Sequence, residues 1–423
     1  MHIVFLVSYY YPNYSAVGKC VGNVADELSK IHRVTVICEK DSYDQLDEEI
    51  INNQKIIRFI TLDRKIRAKL NKKIKASKGI KRKIYKTILY FYKFSQAAKI
   101  ILSKVTIKQD LVDEYFEALD YIEEEIDVII PAVMPFESLL AAVRFSKNIS
   151  STVKVIPYLF DQFALNKSLH RFQLNMKLKL KNHLELERKA LNFSETVIIM
   201  PQLEDHYRSV IQDHRKKILV LEHPLLINKS GNLQDDSEII RFVYAGSFYK
   251  KIRNPEYFLT VFDNLLTEIR GKLDLYTFGN CEGIIDKFSK KNNFIISHGK
   301  YKTDKVYRAL EKSNFLVAVG NSISNQVPSK IIEYLSFGKP IIYLYTNNKD
   351  PGLKYLKKFP LSLCLKQDEK FLSENILKIK DFCRNKYGSK VDFKEVERMF
   401  IEASPKYTVN MIMKLIKNGG NNN

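Results

Sequence analysis

Short runs of β-branched and other apolar residues alternate along this chain with longer segments whose apolar positions recur every three or four residues. The first pattern predicts strands buried on both faces and the second predicts amphipathic helices. In the first half, strands are predicted at 2–8, 33–38, 55–60, 126–131, 153–159 and 196–200. Helices are predicted at 17–31, 64–104, 110–124, 135–147, 173–193 and 202–212. Residues 222–239 break the pattern with Pro224, Gly231, Asn232 and Asp235, and read as a connector. A second series follows, with strands near 240–246, 273–278, 293–297, 314–319 and 340–345. Its helices fall near 255–269, 283–291, 302–312, 329–337 and 369–384, and a last helical stretch covers about 395–417.

Strand–helix alternation implies a parallel sheet covered on both faces, so the class is α/β. The interruption divides the chain into a Rossmann-like domain over 1–222, a linker at 223–239 and a second doubly wound domain over 240–394. Residues 395–423 then supply a C-terminal helix expected to pack back toward the first domain, ending in a frayed tail. Ligands of open parallel sheets bind outside the carboxyl ends of the strands, so two such domains are expected to share a cleft between facing edges.

Charge changes this picture most. The 423 residues hold 69 Lys and Arg against 48 Asp and Glu, a net charge of +21. Sixteen of the basic residues, from Arg64 to Lys108, fall in 64–108, which contains no acidic residue. The rest of the chain carries only +5. A basic block interleaved with Ile66, Leu70, Ile74, Ile80, Ile84, Ile88, Phe91 and Phe94 reads as a basic amphipathic helix that attracts anionic lipid headgroups. A solvated face over a core helix is the plainer reading of the same residues.

Other compositional signals narrow the class. The apolar run at Met1–Ser8 is short and has no basic flank, so it reads as a strand and not as a signal peptide. No stretch reaches the roughly 18 apolar residues of a spanning helix. Cys20, Cys38, Cys281, Cys364 and Cys383 are scattered without metal-ligand spacing and are expected to be buried reduced thiols.

The most informative segment runs from Asn325 to Ile342. Pro328 suits the first turn of a helix, Gly338 suits its C-terminal cap, and Pro340 forbids continuation before the strand at Ile341. A helix start after a strand offers free N–H groups to an anion, and Lys330 adds a cation there. Glu333, a turn further on, places a carboxylate where it can accept from two neighbouring hydroxyls. Earlier, the strand Phe242–Ser247 ends at Gly246 and is followed by Lys250, Lys251 and Arg253. Arg253 is the best phosphate ligand of the three, because a guanidinium pairs bidentately with phosphate oxygens, whereas Lys250 and Lys251 read equally as solvated loop charges.

These segments resemble the GT-B glycosyltransferases, in particular the retaining family GT4 and its branch with a P-S-K-x-x-E-Y pattern. The resemblance implies a GT-B fold, with Pro328, Ser329 and Lys330 forming the turn that holds the donor diphosphate and Glu333 binding the ribose hydroxyls. That family has a first Glu where this chain has Asn325, which implies a different set of donor-sugar contacts. Ser247 stands where many relatives have Arg. Gly279-Asn280 and His298-Gly299 resemble loops flanking the nucleobase, and Glu222-His223-Pro224 resembles the exit of the first domain, where His223 by itself reads as structural. Gly18, before the helix at 17–31, matches a Gly-rich turn that lets backbone approach a phosphate or acceptor. Asp161, at the end of a strand, stands where the family places a catalytic His or Asp, and an N-cap or loop Asp is the alternative.

The activity so implied is metal-independent, retaining transfer of a sugar from a UDP-, GDP- or other nucleotide sugar to a hydroxyl. No cofactor is expected. The envelope and capsular polysaccharide branch further implies a lipid-linked glycan acceptor, with the protein cytoplasmic and peripheral on the inner face of a bacterial membrane through 64–108. Three rivals remain: a GT-B sugar-nucleotide epimerase, a donor-binding chain without transfer, and a nucleic-acid-binding protein. The last leaves the two α/β series and the Glu333 segment unexplained.

Overall fold

The computed structural model describes residues 1–166, 169, 173–211, 217–229, 231, 239–301, 303–322 and 330–418. The chain divides into two compact units: Met1–Pro224 with Pro405–Asn423, and Leu225–Ser404.

The first unit is built on β1 (His2–Val7), β2 (Arg33–Glu39), β3 (Glu48–Ile51), β4 (Gln54–Phe59), β5 (Val128–Val133), β6 (Lys154–Val155), β7 (Tyr158–Leu159), β8 (Thr196–Ile199) and β9 (Lys217–Val220). Its order is β3-β4-β2-β1-β5-β7-β8-β9, with β6 paired to β5. Every side chain of β1 is buried, as an apolar strand between two helical layers requires. The expected strand over 153–159 is two short strands. Pro157, between them, has no N–H to give the ladder. Unforeseen in the pattern are β3, β9 and β15 (Ser362–Lys366). The first of these also departs from the all-parallel expectation. It pairs antiparallel with β4 across Asn52 and Asn53, whose φ values of 50° and 60° make the tight hairpin turn. With two glutamates in four residues and no fully buried position, it shows none of the apolar signal of an interior strand.

Helices α1 (Ala16–Leu28), α2 (Leu62–Ala76), α3 (Gly79–Leu102), α4 (Gln109–Asp120), α5 (Phe136–Asn148), α6 (Gln173–Asn192) and α7 (Glu204–Val210) complete the chain up to the boundary. Ser15 caps α1, its Oγ accepting from the Gly18 N–H at 2.9 Å. The single helix expected over 64–104 is a hairpin of α2 and α3, broken where Ser77 and Lys78 turn extended just before Gly79 takes φ 55°. Nothing in α2 is fully buried, and Leu89 alone is buried in α3. No helix among the described residues is long and apolar enough to cross a membrane.

The second unit carries β10 (Ile240–Phe248), β11 (Gly271–Gly279), β12 (Ile295–Ser297), β13 (Phe315–Val319), β14 (Ile341–Tyr345) and β15, in the order β12-β11-β10-β13-β14-β15 with all pairs parallel. Phe242, Phe258, Phe262 and Phe315 fill the core between this sheet and helices α8 (Glu256–Glu268), α9 (Glu282–Lys291) and α13 (Leu372–Lys386). The other helices are α10 (Thr303–Lys312), α11 (Lys330–Leu335), α12 (Gly352–Leu356) and α14 (Phe393–Met399). The final helical stretch is not continuous: α15 (Pro405–Asn418) starts anew at a proline, packs on α1 and belongs to the first unit. Cys20, Cys38, Cys281 and Cys383 are buried free thiols, whereas Cys364 is half-buried.

Candidate functional site

The carboxyl end of β10 turns into a loop that carries three cations, and neighbouring strand ends hold that loop in place. The Arg253 N–H donates to the Tyr249 carbonyl at 2.7 Å and closes the turn. The Lys250 N–H donates to Asn280 Oδ1 at 2.9 Å, which ties the loop to the end of β11. From the exit of β13, the Ser322 N–H donates to the Ile252 carbonyl at 2.7 Å and Ser322 Oγ to the Lys251 carbonyl at 3.0 Å. Arg253 is thereby aimed inward, where its Nε and Nη2 both donate to Asn321 Oδ1 at 3.1 and 2.8 Å. A side chain at Gly246 would crowd this arrangement, since its Cβ would lie 3.0 Å from the Tyr244 hydroxyl and 3.5 Å from Arg253 Nη1.

Lys250, Lys251, Arg253, Ser322, Thr346 and Gln367 line a cavity of about 300 Å³ at the carboxyl ends of β10, β13, β14 and β15. Behind it lies Asp350. Its Oδ1 accepts from the Tyr343 hydroxyl at 2.7 Å and from the Gly352 N–H at 2.8 Å, while Oδ2 has no hydrogen-bond partner among the described residues. Burial pushes this carboxyl above the usual Asp range, against the lowering pull of its two hydrogen bonds and of the Arg253 charge.

The segment with Glu333 forms a second group in the same unit. Glu333 is buried on α11, and its Oε2 accepts from the Tyr307 hydroxyl at 3.1 Å and faces Lys330 Nζ at 3.4 Å and Lys229 Nζ at 4.0 Å. Lys229 also lies over the Tyr307 ring, 3.7 Å from its centroid. Tyr334 hangs this helix from the central strand: its hydroxyl accepts from the Ala245 N–H at 2.9 Å, one residue before Gly246. Gly338 ends the turn after α11 with φ 65°, the left-handed conformation expected of a cap. Asn325, Pro328 and Ser329 lie outside the described residues.

Gly18 and Asp161 belong to the first unit. Gly18 is buried in α1, and the close approach it permits is internal, because a Cβ there would meet the Tyr9 carbonyl at 2.0 Å. The Asp161 carboxylate serves its own loop, with Oδ1 accepting from the Gln162 N–H at 2.8 Å and Oδ2 from Asn166 Nδ2 at 3.0 Å. Burial raises its pKa and those two bonds oppose the rise. Sequence reasoning missed the residues that hold this loop. Asn175, Lys179, His183 and Glu187 recur every four residues along α6 and are all buried. Glu187 Oε1 accepts from the N–H groups of Phe163 and Ala164 at 3.0 and 3.2 Å, and His183 Nε2 accepts from the Thr106 N–H at 2.8 Å. The polar spacing of four was the available signal. His223 Nδ1 lies 3.0 Å from Glu222 Oε1, and His298 stacks on Tyr276 with its Nε2 2.7 Å from Asp274 Oδ1.

No family model matches the sequence, and no curated protein matches it. Solved structures do match the fold over almost its whole length. Sucrose-phosphate synthase from Thermosynechococcus elongatus superposes with a TM-score of 0.60 at 11% identity, covering 99% of this chain and 98% of that one. The chain has the GT-B fold. HepE of Anabaena, solved in complex with UDP and glucose, gives 0.60 at 11% identity over 99% and 100% of the two chains. The catalytic domain of starch synthase IV from Arabidopsis thaliana, bound to ADP and acarbose, gives 0.58 at 12% identity over 99% of each. Identities this low establish a GT-B architecture with two Rossmann-like units and leave the chemistry to the residues of the site.

Proposed function

We propose that this protein is a GT4-like glycosyltransferase that takes a sugar from a nucleotide diphosphate sugar. The observation that carries the reading is the cavity at the carboxyl edge of the second sheet, where Lys250, Lys251 and Arg253 converge. Three cations against two carboxylates, Glu256 and Glu369, leave the cavity lining net positive, which suits a diphosphate, and Arg253 is already oriented to meet it. In the reaction, the bond between the donor sugar's anomeric carbon and the diphosphate oxygen breaks. The acceptor hydroxyl oxygen bonds to that carbon, its proton passes to an oxygen of the departing diphosphate, and a nucleoside diphosphate leaves. Charge gathers on the leaving phosphate, and fixed cations stabilise it there without reorganisation. The reading is retaining and metal-independent, so a chelator leaves turnover unchanged. Glu333, held by Tyr307 and Lys330, accepts the ribose hydroxyls. The resemblance assigns the donor turn to Pro328, Ser329 and Lys330 and sets Asn325 at the place of the family's first Glu. Asp161 is the first-unit carboxylate that the resemblance assigns to the reacting carbon.

The acceptor is a lipid-linked glycan of a bacterial envelope or capsular pathway, met at the inner membrane face. Support comes from the α2–α3 hairpin. Ile80, Ile84, Ile88 and Phe91 follow helical spacing along α3, and all are exposed, Ile80 by 77% and Phe91 by 63%. An apolar stripe left exposed among the described residues, beside Lys81, Arg82, Lys83 and Lys86, matches an anionic bilayer surface in both charge and polarity.

Incubation with UDP-, GDP- and ADP-sugars, followed by product analysis, tests the reading. Release of nucleoside diphosphate with sugar transferred to an acceptor supports it. Isomerised donor would make the protein an epimerase. Donor bound without turnover would leave it a binding protein. Unchanged donor binding and turnover in both Arg253→Ala and Glu333→Ala would overturn the site.

A further inference from the structure

We infer that Asn321 is the positioning residue for Arg253, and that its neutrality keeps the guanidinium charge available to the donor diphosphate. The inference rests on the reading that Arg253 meets that diphosphate.

An arginine held this firmly inside a protein is ordinarily paired with a carboxylate, which fixes its orientation and cancels much of its charge. Here the fork is fixed without that cancellation. Arg253 Nε and Nη2 both donate to one amide oxygen, Asn321 Oδ1, at 3.1 and 2.8 Å. Nη1 is left with the Ser247 carbonyl and the Tyr244 hydroxyl at 3.4 and 3.5 Å, contacts at the outer limit of a hydrogen bond. Among the described residues, all four of its acceptor contacts are therefore with neutral oxygens.

The turn that carries Asn321 is built to hold it there. The Gly320 N–H donates to the Leu344 carbonyl at 2.8 Å, Thr346 Oγ1 donates to the Asn321 carbonyl at 3.4 Å, and Ser322 clasps the carbonyls of Lys251 and Ile252. Gly320 has no room for a side chain: a Cβ would lie 2.3 Å from Asp350 Oδ2. The buried carboxylate of this region thus abuts the backbone of Gly320. Its other oxygen is occupied by Tyr343 and Gly352, and it feels the Arg253 charge without bonding to it. Asn321 itself is buried, so its amide holds a defined orientation toward Arg253.

Calorimetric titration of UDP, GDP and ADP, and of the matching nucleosides, into the full-length protein separates this inference from its premise. Arg253→Ala tests the premise, and Asn321→Asp and Asn321→Ala test the inference. The expected result for Asn321→Asp is a loss of about tenfold in nucleoside diphosphate affinity at low salt, larger than the loss in Asn321→Ala. Nucleoside affinity and the thermal midpoint of the aspartate variant should stay at wild-type values. If Arg253→Ala loses diphosphate affinity while Asn321→Asp binds as wild type, the inference is overturned and the donor site stands. Equal losses of nucleoside and diphosphate in Asn321→Asp would also overturn it, as damage to the fold. Wild-type binding by Arg253→Ala would overturn the premise and the inference together.

Discussion

The α2–α3 hairpin of the first unit and the 249–253 loop of the second both present lysines and arginines, yet their surroundings are opposite. The hairpin spreads its basic residues along two helices that bury almost nothing, with Ile80, Ile84, Ile88 and Phe91 exposed between them. The loop gathers three cations around one cavity and fixes its backbone through Asn280, Ser322 and its own turn. The number of cations is therefore a poor guide to what they recognise. A diffuse array attracts an extended anionic surface through additive and salt-sensitive terms. A few oriented groups recognise a compact anion, because their geometry is settled before it arrives.

Removing charge from the hairpin has the largest expected effect. Replacing Lys72, Lys73, Lys81, Arg82, Lys83 and Lys86 by Gln removes about 1 kcal/mol each near an anionic bilayer, about 6 kcal/mol in all and on the order of 10⁴ in vesicle affinity. Co-sedimentation with phosphatidylserine vesicles measures it. Binding that ignores anionic lipid content would remove the hairpin's side of the contrast.

Paired glycine substitutions compare how tightly the two regions are built. Gly79, at the hairpin turn, and Gly338, after α11, both have positive φ, at 55° and 65°. A Cβ at Gly79 meets nothing within 4 Å, whereas one at Gly338 would lie 2.2 Å from the Val391 carbonyl. Gly79→Ala should cost about 1 kcal/mol of backbone strain, and Gly338→Ala about 2–5 kcal/mol once crowding is added. Denaturant unfolding reads both, and equal costs would contradict the contrast.

A smaller effect comes from Lys339, a cation of the second unit that is mostly enclosed. Burial, aided by the charge of Lys390, pulls its pKa down from 10.5 to about 8. Between these values the unfolded chain holds more protons than the folded one, so this group makes stability rise with pH through about 8 to 10.5. Lys339→Met should flatten that rise, while removing the hydrogen bonds that the ammonium gives the Glu311 and Ser313 carbonyls. An unchanged pH profile of the thermal midpoint would show that the ammonium is solvated like those of the hairpin.

Much of this was legible in the residues. Fully buried strands such as β1 and β13 announce themselves by unbroken apolar runs, and Pro340 and Gly338 bound the α11 segment by backbone chemistry alone. The edge strand β3 was hidden because a half-exposed strand needs no apolar face. The break between α2 and α3 was hidden because Gly79 sits inside an otherwise continuous helical period. In the site, Arg253 was visible from its type and its place after a strand. Asn321 was not: an asparagine at a strand end looks like any turn residue until the fold brings it against a guanidinium 68 positions away. Likewise the close packing at Gly18 is with Tyr9 of its own turn, a contact that a lone glycine does not reveal.

The most direct test of the central claim, that the excess charge serves two separable tasks, is calorimetric titration of UDP, GDP and ADP into wild-type protein and into the six-fold Gln variant. The account predicts that at least one nucleotide binds both proteins with the same affinity, although the variant no longer sediments with anionic vesicles. Loss of nucleotide binding together with vesicle binding would contradict it.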